Sequence, residues 1–216
     1  METCLDDPAD AIVSHALSER TDLIAMATHG RGGLKRLLMG SVTESVLRQS
    51  PVPLLTCRAG VRMESATHVV ALDGSPRAES ILKDIVPLTK LLRGTLHLVH
   101  IDSGTSKRGR EKDIDMGDYL ERMSAHLSSR GLPIRTALRS GTAGAGIMRY
   151  ASEVEAGLVA MATHGRTGLG RLLLGSVAEE VLRMGSCPVL LRRDLEAASP
   201  LCPKARRPAK LLGRFS

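Results

Sequence analysis

The sequence predicts an α/β protein built on a doubly wound parallel sheet, present as one complete copy and one partial copy. Short apolar runs rich in β-branched residues alternate with stretches whose apolar residues recur at the helical period of about 3.6 residues. In addition, Ala25 to Arg58 aligns without gaps to Ala160 to Arg193, with 22 of 34 positions identical. The two segments are about one domain length apart along the chain, which indicates that a whole domain has been duplicated.

The complete copy alternates strands with helices along the chain. The expected elements are, in order, a strand at His68 to Asp73, a helix with apolar positions from Ala78 to Leu92, a strand at Thr95 to Ile101, a helix carrying Ile114, Leu120, Met123 and Leu127, a strand at Pro133 to Arg139, a helix at Ala143 to Val154, a strand at Gly157 to Ala162, a helix from Ser176, and a last strand at Cys187 to Leu191. Helices between successive strands imply parallel pairing, because parallel neighbours need crossover connections of this length.

The first copy is shorter than the second. It has room for a helix at Ala9 to Leu17 and a strand at Asp22 to Ala27, but nothing corresponds to the strands expected between Thr67 and Arg139. We therefore expect a truncated copy at residues 1–60, a complete domain at 61–193, and a basic tail at 194–216 that is disordered. Because a half-sheet exposes an edge and an apolar face, the truncated copy should pack against the complete one. The alternative is that the chain is a fragment of a longer tandem protein, or has a misplaced start.

Composition excludes several classes of protein. The apolar runs are far shorter than the roughly 20 residues of a membrane span, and the acidic start METCLDDPAD does not resemble a secretory signal, so we expect a cytoplasmic protein. The four cysteines form no C-x-x-C pair, which argues against a zinc site. The net charge is +7, but the chain lacks Trp for base stacking. We therefore expect no specific binding of nucleic acid.

Both copies contain a loop suited to an anion. A strand ends in ATHG, nine residues follow, and Gly-Ser then begins a helix. Free N–H groups and a partial positive charge at a helix N-terminus favour a phosphate, and glycine lets it approach closely. The loop arginines are Arg31, Arg36, Arg166 and Arg171. A purely structural alternative stays open, because Ser41 with Glu44 and Ser176 with Glu179 have the spacing of capping boxes.

These residues also resemble a known family. The pattern G-x-x-G-x9-G-[ST], which appears here within THGR-x-GL-x-RLL-x-GSV, is similar to the nucleotide loop of the universal stress proteins, although Ala27 and Ala162 stand at the first motif glycine. The resemblance covers nearly the whole chain. It implies a Rossmann-like sheet of five strands in the order 3-2-1-4-5 and the binding of ATP, with Mg²⁺ as part of the bound nucleotide.

The resemblance also implies the site residues. An aspartate that ends the first strand is matched by Asp73, and backbone near the end of the second strand is matched near His100. The complete nucleotide set is Ala71, Leu72, Asp73, His100, Ala162, Gly165, Arg166, Gly175, Ser176 and Val177. The degenerate loop of the first copy is Ala27, Gly30, Arg31, Gly40, Ser41 and Val42. Alternatives remain open: Asp73 as a cap for the helix after Pro76, His100 as a half-buried strand residue, and His29 and His164 as loop hydrogen-bonding groups.

Three functional hypotheses follow. No G-K dipeptide, nucleophile elbow, kinase signature or metal-spaced His/Cys cluster occurs in the chain. The first hypothesis is a nucleotide-binding regulatory protein in stress adaptation, with hydrolysis slow at most. The second is an interaction module without nucleotide, and the third is a slow phosphotransferase that depends on Ser176. Family members pair through their last strands, here Pro53 to Cys57 and Cys187 to Leu191, which implies an internal pseudo-dimer or a homodimer.

Overall fold

The computed structural model describes residues 7–28, 39–58, 60–104, 115–163 and 175–193. The elements are α1 (Pro8–Ser18), β1 (Ile24–Ala27), α2 (Ser41–Gln49), β2 (Leu54–Cys57), β3 (Thr67–Ala71), α3 (Pro76–Glu79), α4 (Leu82–Leu91), β4 (Thr95–Asp102), α5 (Met116–Ser128), β5 (Ile134–Ser140), α6 (Ala143–Glu153), β6 (Leu158–Thr163), α7 (Ser176–Met184) and β7 (Val189–Arg193). Within these described ranges, no helix has both the length and the apolar character that crossing a bilayer demands.

The strands form a single sheet in the order β1-β2-β7-β6-β3-β4-β5. Every neighbouring pair is parallel except β2 and β7, which are antiparallel. The prediction of a five-stranded parallel sheet is therefore wrong for the sheet as a whole, which has seven strands and is mixed. The physical reason is that β7 on its own would leave an open edge, and β2 pairs with that edge. Within the complete copy, the strands β5-β4-β3-β6-β7 have the predicted order 3-2-1-4-5 and pair in parallel.

The sheet lies between two layers of helices. Residues of α1, α2, α6 and α7 share one apolar core with Val69 and Val99. Residues of α3, α4 and α5 share a second core with Val70 and Leu98, which point to the opposite face because side chains alternate along a strand. The α/β fold with a mostly parallel sheet, predicted from the alternation of strands and helices, is confirmed.

Local hydrogen bonds set several helix boundaries. Asp7, Ser75 and Asp115 cap α1, α3 and α5, and each side chain accepts a backbone N–H from the first turn.

The single helix expected from Ala78 to Leu92 is divided into α3 and α4. The Ser80 N–H donates to the Arg77 carbonyl over three residues at 3.0 Å, a tighter turn than that of an α-helix.

The antiparallel junction of β2 and β7 has a regular register. Residues at matching positions of the two copies are called counterparts here, and Leu55 lies opposite Leu190, its own counterpart. The flanking pairs are Leu54 with Leu191 and Thr56 with Val189. A local two-fold axis therefore passes through the central leucine pair. The Thr56 hydroxyl adds a hydrogen bond of 3.1 Å to the Val189 carbonyl.

An ion pair reinforces this junction. On β7, the Arg192 guanidinium makes two hydrogen bonds of 2.6 and 2.7 Å to the Asp84 carboxylate of α4. It also donates to the Pro51 carbonyl, just before β2, at 3.3 Å. Burial raises the pKa of Asp84, and the hydrogen bond and charge of Arg192 oppose that rise. Arg192 thus links both copies of the repeat to one helix.

Candidate functional site

A cleft of about 320 Å³ opens at the carboxyl ends of β3, β4 and β6, beside the N-termini of α6 and α7. The chain runs from β3 to β4 on one side and from β6 to β7 on the other, so the cleft lies at the switch point where open α/β sheets bind ligands. Eight of the residues predicted to bind nucleotide line this cleft: Ala71, Leu72, Asp73, His100, Ala162, Gly175, Ser176 and Val177. The other two, Gly165 and Arg166, lie outside the described residues.

The N-terminus of α7 forms one wall of the cleft. Its N-cap is Gly175, with φ +77° and ψ 144°, a conformation that residues with a side chain rarely adopt. Among the described residues, no side chain caps this helix. The predicted capping box of Ser176 and Glu179 is therefore wrong, because Ser176 is the first helical residue rather than the cap. As far as the described residues go, the first N–H groups of α7 have no side-chain acceptor, and such groups favour an anion.

Asp73 lies two residues beyond the end of β3 and is exposed at the rim of the cleft. One carboxylate oxygen accepts the Ser75 N–H at 2.9 Å, which orders the turn at Gly74 with φ +79°. The cap of α3 is Ser75, whose hydroxyl accepts the Ala78 N–H at 3.1 Å. Asp73 therefore orders the turn before α3 without capping the helix. Its second carboxylate oxygen makes no hydrogen bond within the described part of the chain.

His100 joins the ends of two neighbouring strands. Its Nδ1 lies 2.8 Å from the Leu72 carbonyl oxygen, and because a carbonyl only accepts, the Nδ1–H donates. The side chain is half-buried and fixes the end of β4 against the end of β3. This contact favours a structural role for the imidazole, in line with the strand-residue alternative raised by the sequence.

The remaining wall is apolar and was missed by sequence reasoning. Its residues lie on several elements, and no sequence pattern indicates that they come together: Ala78, Val99, Ile101, Ala143, Ile147, Met161 and Ala178. The glycines of α6 explain the close approach of this helix. A methyl group at Gly146 would lie 2.7 Å from Ile101 Cγ2, and one at Gly144 would lie 2.6 Å from Glu180 Cβ. The motif SGTAGAG thus begins a helix that packs tightly beside the cleft.

A buried carboxyl group lies behind the cleft. Glu79 is 4 % exposed and accepts the Tyr119 hydroxyl at 3.0 Å. Burial raises the pKa of Glu79, the hydrogen bond from Tyr119 opposes the rise, and the negative charge of Asp73 adds to it. No sequence signal identifies this pair, since its members are 40 residues apart. It connects the turn after Asp73 to α5.

The loop of the first copy borders a different surface. Ser41 and Val42 line a shallow, open pocket with Asp7, Pro8 and Ser45, while Ala27 ends β1 on an exposed position. Gly40 caps α2 at φ −66°, so the predicted capping box of Ser41 and Glu44 is also wrong. Gly30, Arg31, His29 and His164 lie outside the described residues. Across the described ranges, no group of three His, Cys, Asp or Glu side chains is placed to hold a metal ion.

Comparison with known proteins agrees with this architecture. The sequence model of the universal stress protein family matches residues 1–58 and 67–193. A universal stress protein E homolog from Haemophilus influenzae is 30 % identical over 84 % of this chain and 65 % of its own. A universal stress protein from Methanocaldococcus jannaschii is 29 % identical over 73 % of this chain and 91 % of its own.

A solved structure is similar over most of the chain. The crystal structure of a universal stress protein from Archaeoglobus fulgidus has a TM-score of 0.67 and 28 % identity, over 87 % of this chain and 65 % of the other. The present chain therefore spans about 65 % of the length of both this protein and the Haemophilus relative.

Proposed function

The chain belongs to the universal stress protein family, and from that premise we propose that it is a cytoplasmic, nucleotide-binding regulatory protein of the stress response. The ligand we propose is ATP, accompanied by Mg²⁺ that the nucleotide itself carries. The chain changes state with nucleotide occupancy and has little or no catalytic activity. The observation that carries this proposal is the cleft. It brings together the N-terminus of α7, an apolar wall and the Asp73 carboxylate, and among the described residues neither a side-chain cap on α7 nor a partner for the second Asp73 oxygen is found.

The order of the strands suggests how the nucleotide lies. The ends of β6, β3 and β4 are adjacent, and three neighbouring strands span about 10 Å, a distance that a nucleotide can bridge. Phosphates would lie at the N–H groups of Ser176 and Val177. The base would then rest at the far end of the cleft against Val99, Ile101 and Ile147. Asp73, which lies just beyond the end of the central strand β3, would accept a ribose hydroxyl.

Each contact in this arrangement has a physical basis. The α7 N-terminus supplies fixed N–H donors and the positive end of the helix dipole, which favour an anion without a lysine. The apolar wall removes the faces of the base from water. The backbone tie from His100 to Leu72 holds the strand ends that form the floor. What this site does when occupied is bind and orient the nucleotide and limit the access of water to it.

We further propose that the two copies form an internal pseudo-dimer through β2 and β7. The local two-fold register about Leu55 and Leu190 and the three hydrogen bonds of Arg192 support this arrangement. The residues matched by the family model, 1–58 and 67–193, are compatible with a truncated first copy and a complete second copy. A homodimer through the same strands would first require β2 to leave β7.

The second candidate function is an interaction module without nucleotide. Its support is Ala162 at the first motif position, where a methyl group lines the cleft. The two candidates differ in one measurement, the effect of nucleotide on unfolding.

Thermal unfolding of the full chain with and without MgATP tests the proposal. A ligand at 100 times its dissociation constant adds about 2.7 kcal/mol of stability, so the melting temperature should rise by several degrees. Asp73→Asn should reduce the rise, because it removes the charge while an amide oxygen can still accept the Ser75 N–H. The matched control is Asp102→Asn, since Asp102 makes the same kind of turn contact to Gly104 at 2.8 Å after β4. A folded chain whose melting temperature is indifferent to millimolar MgATP would support the nucleotide-free module instead.

A further inference from the structure

The outer side of the first copy is unlike its counterpart. We use the name β1 platform for the open edge of β1 together with Leu23, Ala25 and Leu55, which lie on the face opposite α1 and α2. In the described sheet, β1 is a terminal strand and pairs only with β2. Ala25 is exposed, and Leu23 and Leu55 are half-buried. Two leucines and an alanine beside a free strand edge make an apolar surface with unpaired backbone groups.

The repeat shows what covers the equivalent surface in the complete copy. The counterparts of Leu23, Ala25 and Leu55 are Leu158, Ala160 and Leu190, which are 0, 0 and 1 % exposed. They share a core with Ile81, Leu82 and Ile85 at the start of α4 and just before it. The edge of β6 that corresponds to the free edge of β1 pairs in parallel with β3. One strand–helix unit, from Thr67 to Leu91, therefore covers both the edge and the face.

From this equivalence we infer that the β1 platform is a docking surface for a strand–helix unit of the same kind as Thr67–Leu91. The occupant is an apolar β-strand parallel to β1, followed by a helix whose apolar side covers Leu23, Ala25 and Leu55. The register of β3 on β6 transfers directly: the residue equivalent to Val70 lies opposite Ala25, and the one equivalent to His68 lies opposite Leu23.

The strand–helix unit that docks here belongs to a universal stress protein segment, but it is not the Thr67–Leu91 unit of the complete copy. Within the chain, β3 already pairs on both edges, with β4 and β6, so the described part of a second molecule offers no free unit of this kind. Edge-to-edge pairing of two β1 strands would also leave the apolar face uncovered. The Archaeoglobus fulgidus protein, which aligns with 87 % of this chain, has about a third of its own length outside the match. Related proteins therefore contain additional chain of the size that such a unit needs.

A pair of matched substitutions tests whether the β1 platform is free. Ala25→Arg in the full chain should leave the melting temperature within about 1 °C, because the arginine extends into water. Ala160→Arg at the buried counterpart should lower it by more than about 5 °C or prevent folding, since an unpaired charge enters the core. If Ala25→Arg is as damaging as Ala160→Arg, the surface is already covered and the inference is overturned.

A hybrid chain tests the occupant. In it a second copy of residues 61–141 is joined directly to Asp7, which reproduces the connection before Thr142 in the complete copy. Hydrogen exchange of the β1 amides should slow at least about tenfold in the hybrid. The control hybrid carries Val70→Asp in the added copy alone and should lose this protection.

These measurements distinguish the possible occupants of the β1 platform, and none of them requires nucleotide. In the hybrid, Ala25→Arg should become destabilising, because the added helix now covers that position. A folded hybrid with unchanged exchange at β1 overturns the inference. So does an unmodified chain that dimerises with β1 protected, because the occupant is then a second copy of the chain.

Discussion

The two copies of the repeat build the same helices in different surroundings. At matching positions of the repeat, α1 has the bounds of α6 and α2 has the bounds of α7. Even the residues that follow α1 and α6 agree, since Arg20 and Glu155 have φ values of 53° and 49°. Yet α6 and α7 border a cleft with strands beneath it, whereas α1 and α2 border an open pocket. A loop motif is therefore only one wall of this site, and β3 and β4 supply the others.

Small differences inside the loops follow the same division. The Gly40 N–H donates to the Thr28 carbonyl at 2.9 Å, so it is already used within the first copy. The equivalent bond from Gly175 to Thr163 is not formed among the residues described. The N-cap of α1 is Asp7, a carboxylate beside Ser41, while the counterpart in α6 is the neutral Thr142. These differences make the first copy less suited to an anion.

The largest expected difference between the copies concerns the sheet face beneath α3 and α4. Leu158→Ala should lower the free energy of unfolding by about 3 kcal/mol, because Leu158 is completely buried. Leu23→Ala, at the equivalent half-buried position, should cost less than about 1 kcal/mol. Urea unfolding of both variants measures the two values. Equal losses would mean that the two faces are covered alike.

A second difference lies at the junction, where Arg192 corresponds to Cys57 of the first copy. Arg192→Ala should destabilise the chain by about 3 kcal/mol, because it leaves the Asp84 charge buried without its partner. Replacing both partners, with Arg192→Met and Asp84→Leu, should restore most of the loss. Arg193→Ala is the matched control, since Arg193 forms no ion pair in the described ranges. Denaturant unfolding of these three variants measures their free energies of unfolding. If Arg192→Ala loses no more stability than Arg193→Ala, Arg192 does not stabilise the junction.

The capping glycines provide a smaller difference. Gly175→Ala should cost about 1 to 2 kcal/mol, because its positive φ is strained for a residue with a side chain. Gly40→Ala should cost no more than about 0.5 kcal/mol, since its φ is −66° and an added methyl group would be 3.8 Å from the nearest atom, the Thr28 carbonyl oxygen. Thermal unfolding of the two variants compares them directly. A tolerant Gly175 would indicate that α7 begins in another conformation.

The smallest expected effect is a pH dependence that only the complete copy contributes. His68 is fully buried, its Nδ1 lies 2.8 Å from the Thr89 hydroxyl, and its Nε2 has no hydrogen-bond partner among the described residues. Burial lowers the pKa of His68 from 6.5, so the unfolded chain binds the proton more readily. Stability from this group is complete above pH 6.5 and falls as the pH drops below it.

The comparison of wild type with His68→Leu isolates this contribution. Unfolding free energies measured from about pH 5.5 to about pH 7.5 should rise with pH less steeply in the variant. The comparison is needed because burial also lowers the pKa of His97, and the raised pKa of Glu79 acts with the opposite sign at lower pH. Identical slopes for the two proteins would exclude His68 as a source of the pH dependence.

Sequence patterns predicted the strands and helices more reliably than the contacts within the candidate site. The buried runs at Thr67–Ala71 and Leu158–Thr163 are short and apolar because both faces of a central parallel strand are covered. The capping boxes were wrong because the spacing of serine and glutamate does not reveal whether glycine holds the cap position. The pair of Glu79 and Tyr119 left no signal, since the contact joins two helices through the fold.

The sequence by itself determined the type and order of the elements, the internal repeat and the carboxyl-terminal edge where the motifs gather. Those features depend on local periodicity and on turn chemistry, both of which are written in neighbouring residues. The resemblance implied that the last strands pair, either within the chain or between two chains. Only the tertiary structure decided that β2 and β7 of one chain pair in antiparallel register, that Arg192 reaches Asp84 and Pro51, and that Ile101 and Ile147 share a wall. The reason is that strand edges and apolar faces choose their partners by what remains uncovered after the whole sheet has formed.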